Sequence, residues 1–124
     1  MYLTRAECYA RKGELVLATK DINDLLRTRW KKIGTVTTYV DQSFASADEA
    51  LNVIIKERRK ELIFRGIRWS DLRRLNKEDR FKQTLQRSIG GQTYTLEPNS
   101  YKYALPIPDY VIQQSSIPQN PHWD

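Results

Sequence analysis

The chain has 124 residues, 40% of them hydrophobic and 29% charged, which suits one ordinary folded domain and leaves no low-complexity segment typical of a disordered protein. A single cysteine excludes an internal disulfide and a thiolate metal cluster, and the only histidine, His122, lies near the end of the sequence, which argues against a catalytic triad. The net charge is +6, and no apolar run approaches the roughly 20 residues that cross a bilayer.

Residues 2–30 predict two helices, because apolar residues recur there at spacings of three and four. In the first helix these residues are Tyr2, Leu3, Ala6, Tyr9 and Ala10. In the second, predicted from about Glu14 to Arg29, they are Leu15, Ala18, Ile22, Leu25 and Leu26. Gly13 stands where a glycine usually closes a helix. The sequence therefore predicts an antiparallel helical hairpin.

This hairpin has the spacing of a tetratricopeptide unit, in which small residues let two helices approach closely. The positions that fit are Ala6, Tyr9, Gly13, Ala18, Ile22 and Leu25. Trp30 stands where such a unit usually has a closing proline. One unit cannot cover its own apolar faces, and about three are needed for stability. We therefore expect the chain to be the C-terminal part of a longer protein.

Residues 31–45 predict a connecting loop, because they combine a glycine, β-branched residues and polar residues. Ser46 and Glu49 then form the S-x-x-E pattern of a capping box, which predicts a helix from Ala47. This helix should end near Arg65, with Gly66 as its cap. Ser70 is a candidate cap for a further short helix from Asp71 to Leu75.

The pattern changes after Phe81. The segments TLQRSI and QTYTLE flank Gly90 and Gly91, and a two-glycine turn between two such runs favours a small β-hairpin. Four of the five prolines lie after Tyr101, and they predict an extended C-terminal tail because proline does not fit a helix interior. The predicted fold class is therefore mainly α, with a helical hairpin, a long capped helix, a small β-hairpin and an extended tail.

The segment KERRKELIFRGIRWSDLRR, residues 56–74, is the most basic part of the chain. A nucleic-acid-binding helix would gather its bases on one exposed face, but here acidic residues lie between the basic ones. Arg58 falls on the apolar stripe of the predicted helix, where a guanidinium needs an acidic partner. We therefore predict a structural ion network rather than a nucleic-acid site. Its members are Arg58, Glu61, Arg68 and Asp71.

Residues suited to catalysis are few. Gly90 and Gly91 lack the lysine and the following helix of a phosphate-binding loop. Glu57 and Glu61 lie one helical turn apart, but neighbouring arginines would hold both carboxylates ionised, whereas a glycosidase needs one of them protonated. The sequence predicts no enzymatic activity, no metal and no cofactor.

Three segments together resemble the C-terminal portion of the SusD/RagB family. RAECYARKGE followed by ATKDINDLLRTR looks like the last tetratricopeptide unit of that family. KERRKELIFRGIRWSDLRRL looks like its ERR-x-EL signature, and YALPIPDYVIQQSSIPQNP is similar to its closing LPIP and QNP segment. The departures are Arg65, where the family often has glutamate, and His122-Trp123 in place of the common Gly-Tyr.

The resemblance implies a nutrient-binding lipoprotein of the outer membrane, exposed at the cell surface, that is not an enzyme. Such a protein captures glycans for a SusC-like TonB-dependent transporter and touches the membrane only through a lipid anchor, which would lie outside this chain. The whole chain is then the C-terminal part of one mainly α domain. Residues 1–30 would be its last tetratricopeptide-like helix pair, 46–82 its signature helices and 83–124 its hairpin and tail.

Three aromatic residues lie off the predicted helical core stripes and are candidates for stacking on a sugar: Trp30, Tyr39 and Trp123. The alternative, that each packs beneath the loop or the tail, agrees with the general tendency of large aromatics to be buried. Two functions thus remain open. The chain is either part of a glycan-binding protein or a tetratricopeptide-type scaffold that binds a protein partner.

Overall fold

The computed structural model describes residues 1–121. The chain divides into two compact units, Met1–Arg65 and Gly66–Asp124. The described part contains five α-helices and two small antiparallel sheets of two strands each, which confirms the mainly α class. Within residues 1–121 no helix is both long enough and apolar enough to cross a membrane.

Two helices joined by a short turn begin the first unit. Helix α1 spans Tyr2–Arg11 and helix α2 spans Leu15–Arg29. Gly13 closes α1 as predicted, because its φ of +80° lies in the left-handed region that glycine adopts without strain. The amide of Glu14 donates to the Tyr9 carbonyl at 2.9 Å, and that of Gly13 to the Ala10 carbonyl at 3.1 Å. This pair of bonds satisfies the last carbonyls of α1 and turns the chain into α2.

The core of the first unit lies among α1, α2 and helix α3, which spans Ala47–Glu61 and packs against both. Each helix contributes one apolar face, as the periodicity predicts. The buried apolar residues of these helices are Leu3, Ala6, Ala10, Ala18, Ile22, Leu25, Leu26, Ala50, Leu51 and Ile54. Each helix has a fully buried alanine on this face, and side chains this small let the helices pack closely.

A buried carboxylate joins α1 to α2. Asp21 is only 3% exposed, and Arg5 donates to it through Nε at 2.7 Å and through Nη2 at 2.6 Å. A carboxylate is costly to bury unless both of its oxygens are satisfied, and the two-pronged guanidinium satisfies both. The pair therefore favours one alignment of α1 against α2.

The loop between α2 and α3 contains two very short strands. Strand β1, Lys32–Ile33, pairs with strand β2, Val36–Thr37, across a turn in which Gly34 has a φ of +63°. Ser46 then caps α3 as predicted, since its Oγ accepts from the Glu49 amide at 3.1 Å. The Glu49 carboxylate accepts from the amide of Ala45 at 2.8 Å, one residue before the cap, where a standard capping box uses the amide of the cap residue itself.

The predicted end of α3 near Arg65 is wrong by four residues. The helix ends at Glu61, and Phe64 has a φ of +61°, a left-handed conformation that interrupts a right-handed helix. Hydrogen bonds that span three residues, from the amide of Ile63 to the Lys60 carbonyl and from that of Arg65 to the Leu62 carbonyl, tighten this turn. Glycine is the residue expected at a left-handed position, so the sequence pattern predicts the end of the helix at Gly66. Phe64 adopts that conformation two residues earlier.

The second unit begins with helix α4, which spans Arg68–Leu75. The predicted start at Asp71 is wrong, because the Asp71 amide already donates to the Ile67 carbonyl at 3.0 Å and Ser70 lies inside the helix. Asn76, which is fully buried, caps the C-terminal end of α4. Its Oδ1 accepts from the amide of Gln83 at 3.0 Å, and its Nδ2 donates to the hydroxyl of Tyr103 at 3.0 Å. Asn76 thus ties α4 to two later segments.

The predicted β-hairpin follows. Strand β3, Leu85–Ile89, pairs with strand β4, Gln92–Leu96, so that Leu85 lies opposite Leu96. Gly90 and Gly91 have φ values of +57° and +79°, as the two-glycine turn predicts.

The C-terminal segment departs from the predicted extended tail, because helix α5 forms over Asp109–Ser115. Pro108 precedes the first helical residue, a position where the missing N–H costs no helical hydrogen bond. No proline interrupts the next nine residues, and the left-handed Ser116, with φ of +56°, ends the helix. The prolines therefore restrict the helix to this interval but do not prevent it.

Side-chain amides hold the two ends of this tail together. Gln119 accepts from the Ile107 amide at 2.8 Å and donates to the Ile107 carbonyl at 2.9 Å, as a paired strand would. Asn120 donates to the carbonyl of Leu105 at 2.8 Å. Because Pro106 and Pro108 have no N–H, Ile107 is the only backbone donor between them. The LPIP and QNP segments thus form one hydrogen-bonded structure.

Candidate functional site

An aromatic pair at the C-terminal end of α2 is the candidate ligand surface. Trp30 follows the helix directly and is 50% exposed. Tyr39 lies against it with ring centroids 5.3 Å apart and ring planes at 62°, an edge-to-face contact. One ring is therefore open to solvent, and the other supports it from below.

Tyr39 is held in place by a buried asparagine on α2. Its hydroxyl donates to Asn23 Oδ1 at 2.7 Å, and Asn23 is 5% exposed. The same oxygen accepts from the Gln42 amide at 3.0 Å, and Asn23 Nδ2 donates to the Gln42 carbonyl at 2.9 Å. Burial raises the pKa of Tyr39, so this hydroxyl remains a hydrogen-bond donor at neutral pH.

Charged residues on α2 hold the same loop at a second point. Arg27 donates to both oxygens of Asp41, from Nε at 2.9 Å and also from Nη2, and it donates to Asp24 at 2.9 Å. Lys20 donates to Asp24 at 2.5 Å, and this bond is the main cause of the lowered pKa of Asp24. The loop segment 39–42 is therefore bound to α2 by one neutral and one charged cluster.

The three aromatic candidates differ in placement. Trp30 presents half of its surface to solvent, whereas Tyr39 is 9% exposed and its ring serves to support Trp30. The structure brings these two together. Trp123 lies outside the described residues.

The four residues of the predicted ion network are divided between the two units. In the first unit, the Glu61 carboxylate accepts from Arg29 Nη2 at 2.6 Å and from Arg29 Nε at 2.9 Å, which lowers the pKa of Glu61. Arg58 is half-buried and donates to the Thr4 hydroxyl at 3.3 Å.

In the second unit, Asp71 is buried and accepts from Arg74 Nε at 3.1 Å, and Arg68 donates to Gln83 at 2.9 Å. Arg29, Thr4, Arg74 and Gln83 are thus partners of these four residues that the sequence did not indicate. The network linking Arg58, Glu61, Arg68 and Asp71 stays a prediction.

Sequence reasoning missed the residues that build the aromatic pair. Asn23 and Asp41 have no signal of their own, because an asparagine in a helix and an aspartate in a loop are both usually solvated. The one indication was Asn23 beside the buried stripe position Ile22, where a polar side chain needs a partner. Among residues 1–121 no group of three or more metal-ligating side chains is placed to hold a metal ion.

The chain matches a protein-family model. The family model SusD_RagB, described as the SusD family, matches residues 1–123 of the 124-residue chain. No curated protein that was compared matches the chain. The matched range includes the helical pair, the α3 and α4 segments and the tail.

Proposed function

The chain belongs to the SusD family, and from this membership we propose that it is part of a cell-surface protein that captures oligosaccharides or polysaccharides. The captured glycan passes to a SusC-like TonB-dependent transporter in the outer membrane. The protein binds the glycan without cleaving it, and a lipid anchor outside this chain attaches it to the membrane. The family match over nearly the whole sequence carries this proposal.

Helices α1 and α2 act in this proposal as the last tetratricopeptide-like pair of a helical body. Ala6 and Ala18, both fully buried, support that assignment because small residues are needed where paired helices approach. The second candidate function, a scaffold for a protein partner, is favoured by one observation. Val16 and Leu17 at the start of α2 are 81% and 42% exposed and form an apolar edge on which another helix can pack.

The glycan contact that we propose in this chain is the exposed part of Trp30. An indole offers a large apolar face with little conformational entropy to lose, which suits the C–H face of a sugar ring. Tyr39 and Asn23 support the proposal because they fix the edge on which Trp30 rests. A ring fixed before binding loses less freedom when the ligand arrives.

A binding experiment on the intact protein tests this function. A panel of polysaccharides identifies the glycan by affinity electrophoresis, and calorimetry then measures its affinity. We expect Trp30→Ala to weaken binding about tenfold, the equivalent of roughly 1.4 kcal/mol of stacking, and Trp30→Phe to weaken it less. Tyr110→Ala is the matched control, since Tyr110 is an exposed aromatic on α5.

The outcomes separate the general proposal from the specific one. Unchanged affinity in a folded Trp30→Ala variant would remove Trp30 from the ligand contact but leave glycan capture intact. Two results together would favour the scaffold function instead. The folded wild-type protein would bind no glycan, and it would bind a protein partner in a way that Val16→Ser or Leu17→Ser abolishes.

A further inference from the structure

A cavity of about 280 Å³ in the second unit is separate from the aromatic pair. Arg73 and Lys77, at and just beyond the C-terminal end of α4, line one side of it. Asn99, Tyr101 and Asn120 are among the other residues that line it. Its size lies near the lower limit of ordinary ligand pockets, about 300 Å³, so it suits one sugar unit rather than a chain of several.

The charged side chains that line this cavity within residues 1–121 are Arg73 and Lys77, and both are basic. Arg73 and Lys77 are four residues apart in the sequence and line the same cavity, and neither forms an ion pair with any acid among residues 1–121. Two neighbouring like charges repel each other, and a bound anion relieves this repulsion.

Nearby basic residues are neutralised, which sets these two apart. Arg74 pairs with Asp71 at 3.1 Å, Arg80 with Glu78 at 3.1 Å and Lys82 with Asp79 at 2.5 Å. The acids Asp71, Glu78 and Asp79 therefore pair with other bases of this segment, and none of these three acids lines the cavity.

The uncharged groups of the cavity are fixed by hydrogen bonds. Asn99 Nδ2 donates to the carbonyl of the buried Asn76 at 2.8 Å, and Asn120 Nδ2 donates to the carbonyl of Leu105 at 2.8 Å. Tyr101, which is 48% exposed, adds an aromatic ring. Fixed amides, a half-exposed aromatic ring and two cations that pair with no acid among residues 1–121 form the set of groups that recognises an anionic sugar.

We propose that this cavity binds the carboxylate-bearing sugar unit of an acidic glycan, such as a uronic acid. The guanidinium of Arg73 is suited to a two-pronged bond with the sugar carboxylate, and Lys77 adds a second positive charge. Tyr101 provides a stacking face, and the amides of Asn99 and Asn120 serve the hydroxyl groups. This inference rests on the proposed glycan-capture function and names one class of ligand for it.

Calorimetric titration of the intact protein with a galacturonate trisaccharide tests the proposal. The matched ligand is the neutral galactose trisaccharide of the same linkage, and acetate tests the carboxylate alone. We expect the acidic trisaccharide to bind more tightly than the neutral one, and added salt to weaken it. Arg73→Gln and Lys77→Gln should each weaken acidic binding about tenfold, the usual effect of losing one charged hydrogen bond. Arg87→Gln, an exposed change of the same charge on β3, should have no effect.

Three results would overturn the proposal. The first is equal binding of the acidic and neutral trisaccharides, and the second is acidic binding that neither variant changes. The third is acetate binding as tight as that of the acidic trisaccharide, which would indicate a site for simple anions. The capture function fails separately, if the protein binds no glycan of any charge.

Discussion

Two buried asparagines do the same work in the two units. Asn23 binds the loop at Tyr39 and Gln42, and Asn76 binds the segments at Gln83 and Tyr103. Each side chain both donates and accepts, so it can satisfy irregular backbone and a tyrosine hydroxyl together. The sequence does not indicate which residues they bind, because their partners are between 7 and 27 residues away. The role of such a residue can be recognised only when the fold has brought its partners together.

Glu61 makes the stability of the first unit depend on pH. Its pKa lies below the ordinary value of 4.5, chiefly because of the hydrogen bonds from Arg29. The folded state therefore favours the ionised carboxylate more than the unfolded chain does. This stabilisation is present above about pH 4.5 and is lost as the pH falls through the lowered pKa of the folded state.

We expect Glu61→Gln to lower the free energy of unfolding at pH 7 by less than about 1 kcal/mol, because the ion pair is partly exposed to solvent. Denaturant titrations between pH 7 and pH 3 measure this difference, which should decrease as the pH falls below about 4.5. Glu14→Gln is the control, since Glu14 is exposed and forms no ion pair with another described residue. A difference between wild type and Glu61→Gln that stayed the same from pH 7 to pH 3 would contradict the assignment.

At the level of elements, the sequence predicts best those boundaries whose signal lies in neighbouring residues. Ser46 with Glu49 marks the start of α3, and Gly90-Gly91 marks the hairpin, because in both cases the signal and the structure involve adjacent residues. The end of α3 is set instead by Phe64, which has a left-handed conformation that its residue type does not favour. The start of α4 has no capping side chain, so no sequence signal marked it.

The candidate site also shows what local sequence patterns predict and what they miss. Periodicity correctly left Trp30 outside the core stripe of α2, and the structure leaves half of its surface exposed. Periodicity gave no means of predicting the burial of Tyr39, which depends on Asn23 sixteen residues earlier. Local patterns therefore predict which residues are free of the helical core, but not what else covers them.

The closing motif gives a prediction for the second unit. Gln119→Ala removes both bonds to Ile107 and should lower the free energy of unfolding of this unit by about 1–2 kcal/mol. The Ile107 amide should exchange its hydrogen about tenfold faster, since its acceptor is lost. Nuclear magnetic resonance measures this exchange residue by residue.

Gln119→Glu sharpens that test, because it keeps the acceptor for the Ile107 amide and loses the donor to its carbonyl. Its effect should lie between those of wild type and Gln119→Ala. Gln113→Ala is the control, an exposed glutamine on α5. Equal exchange at Ile107 in all four proteins would show that the tail does not depend on this amide.

For the molecule as a whole, local ion pairs take up part of the basic charge. Residues 56–82 hold 11 bases and five acids, and each of those acids forms an ion pair in the described structure. Nucleic-acid binding needs several unpaired bases gathered along one surface, so that they displace counterions from the phosphates. Pairing of this kind reduces the number of bases available for such a surface.

We therefore expect the intact protein to bind duplex DNA more weakly than the 10⁻⁴ to 10⁻⁶ M that is roughly typical of non-specific DNA-binding proteins at physiological salt. Fluorescence anisotropy with a labelled duplex at about 50 and 200 mM salt measures this. A Lys56→Gln, Arg59→Gln double variant, which removes two exposed bases of α3, should behave like wild type. The opposite result would be tight binding that falls steeply with salt and that the double variant weakens. It would make the basic segment a nucleic-acid site, because only bases in contact with phosphate contribute to the salt dependence.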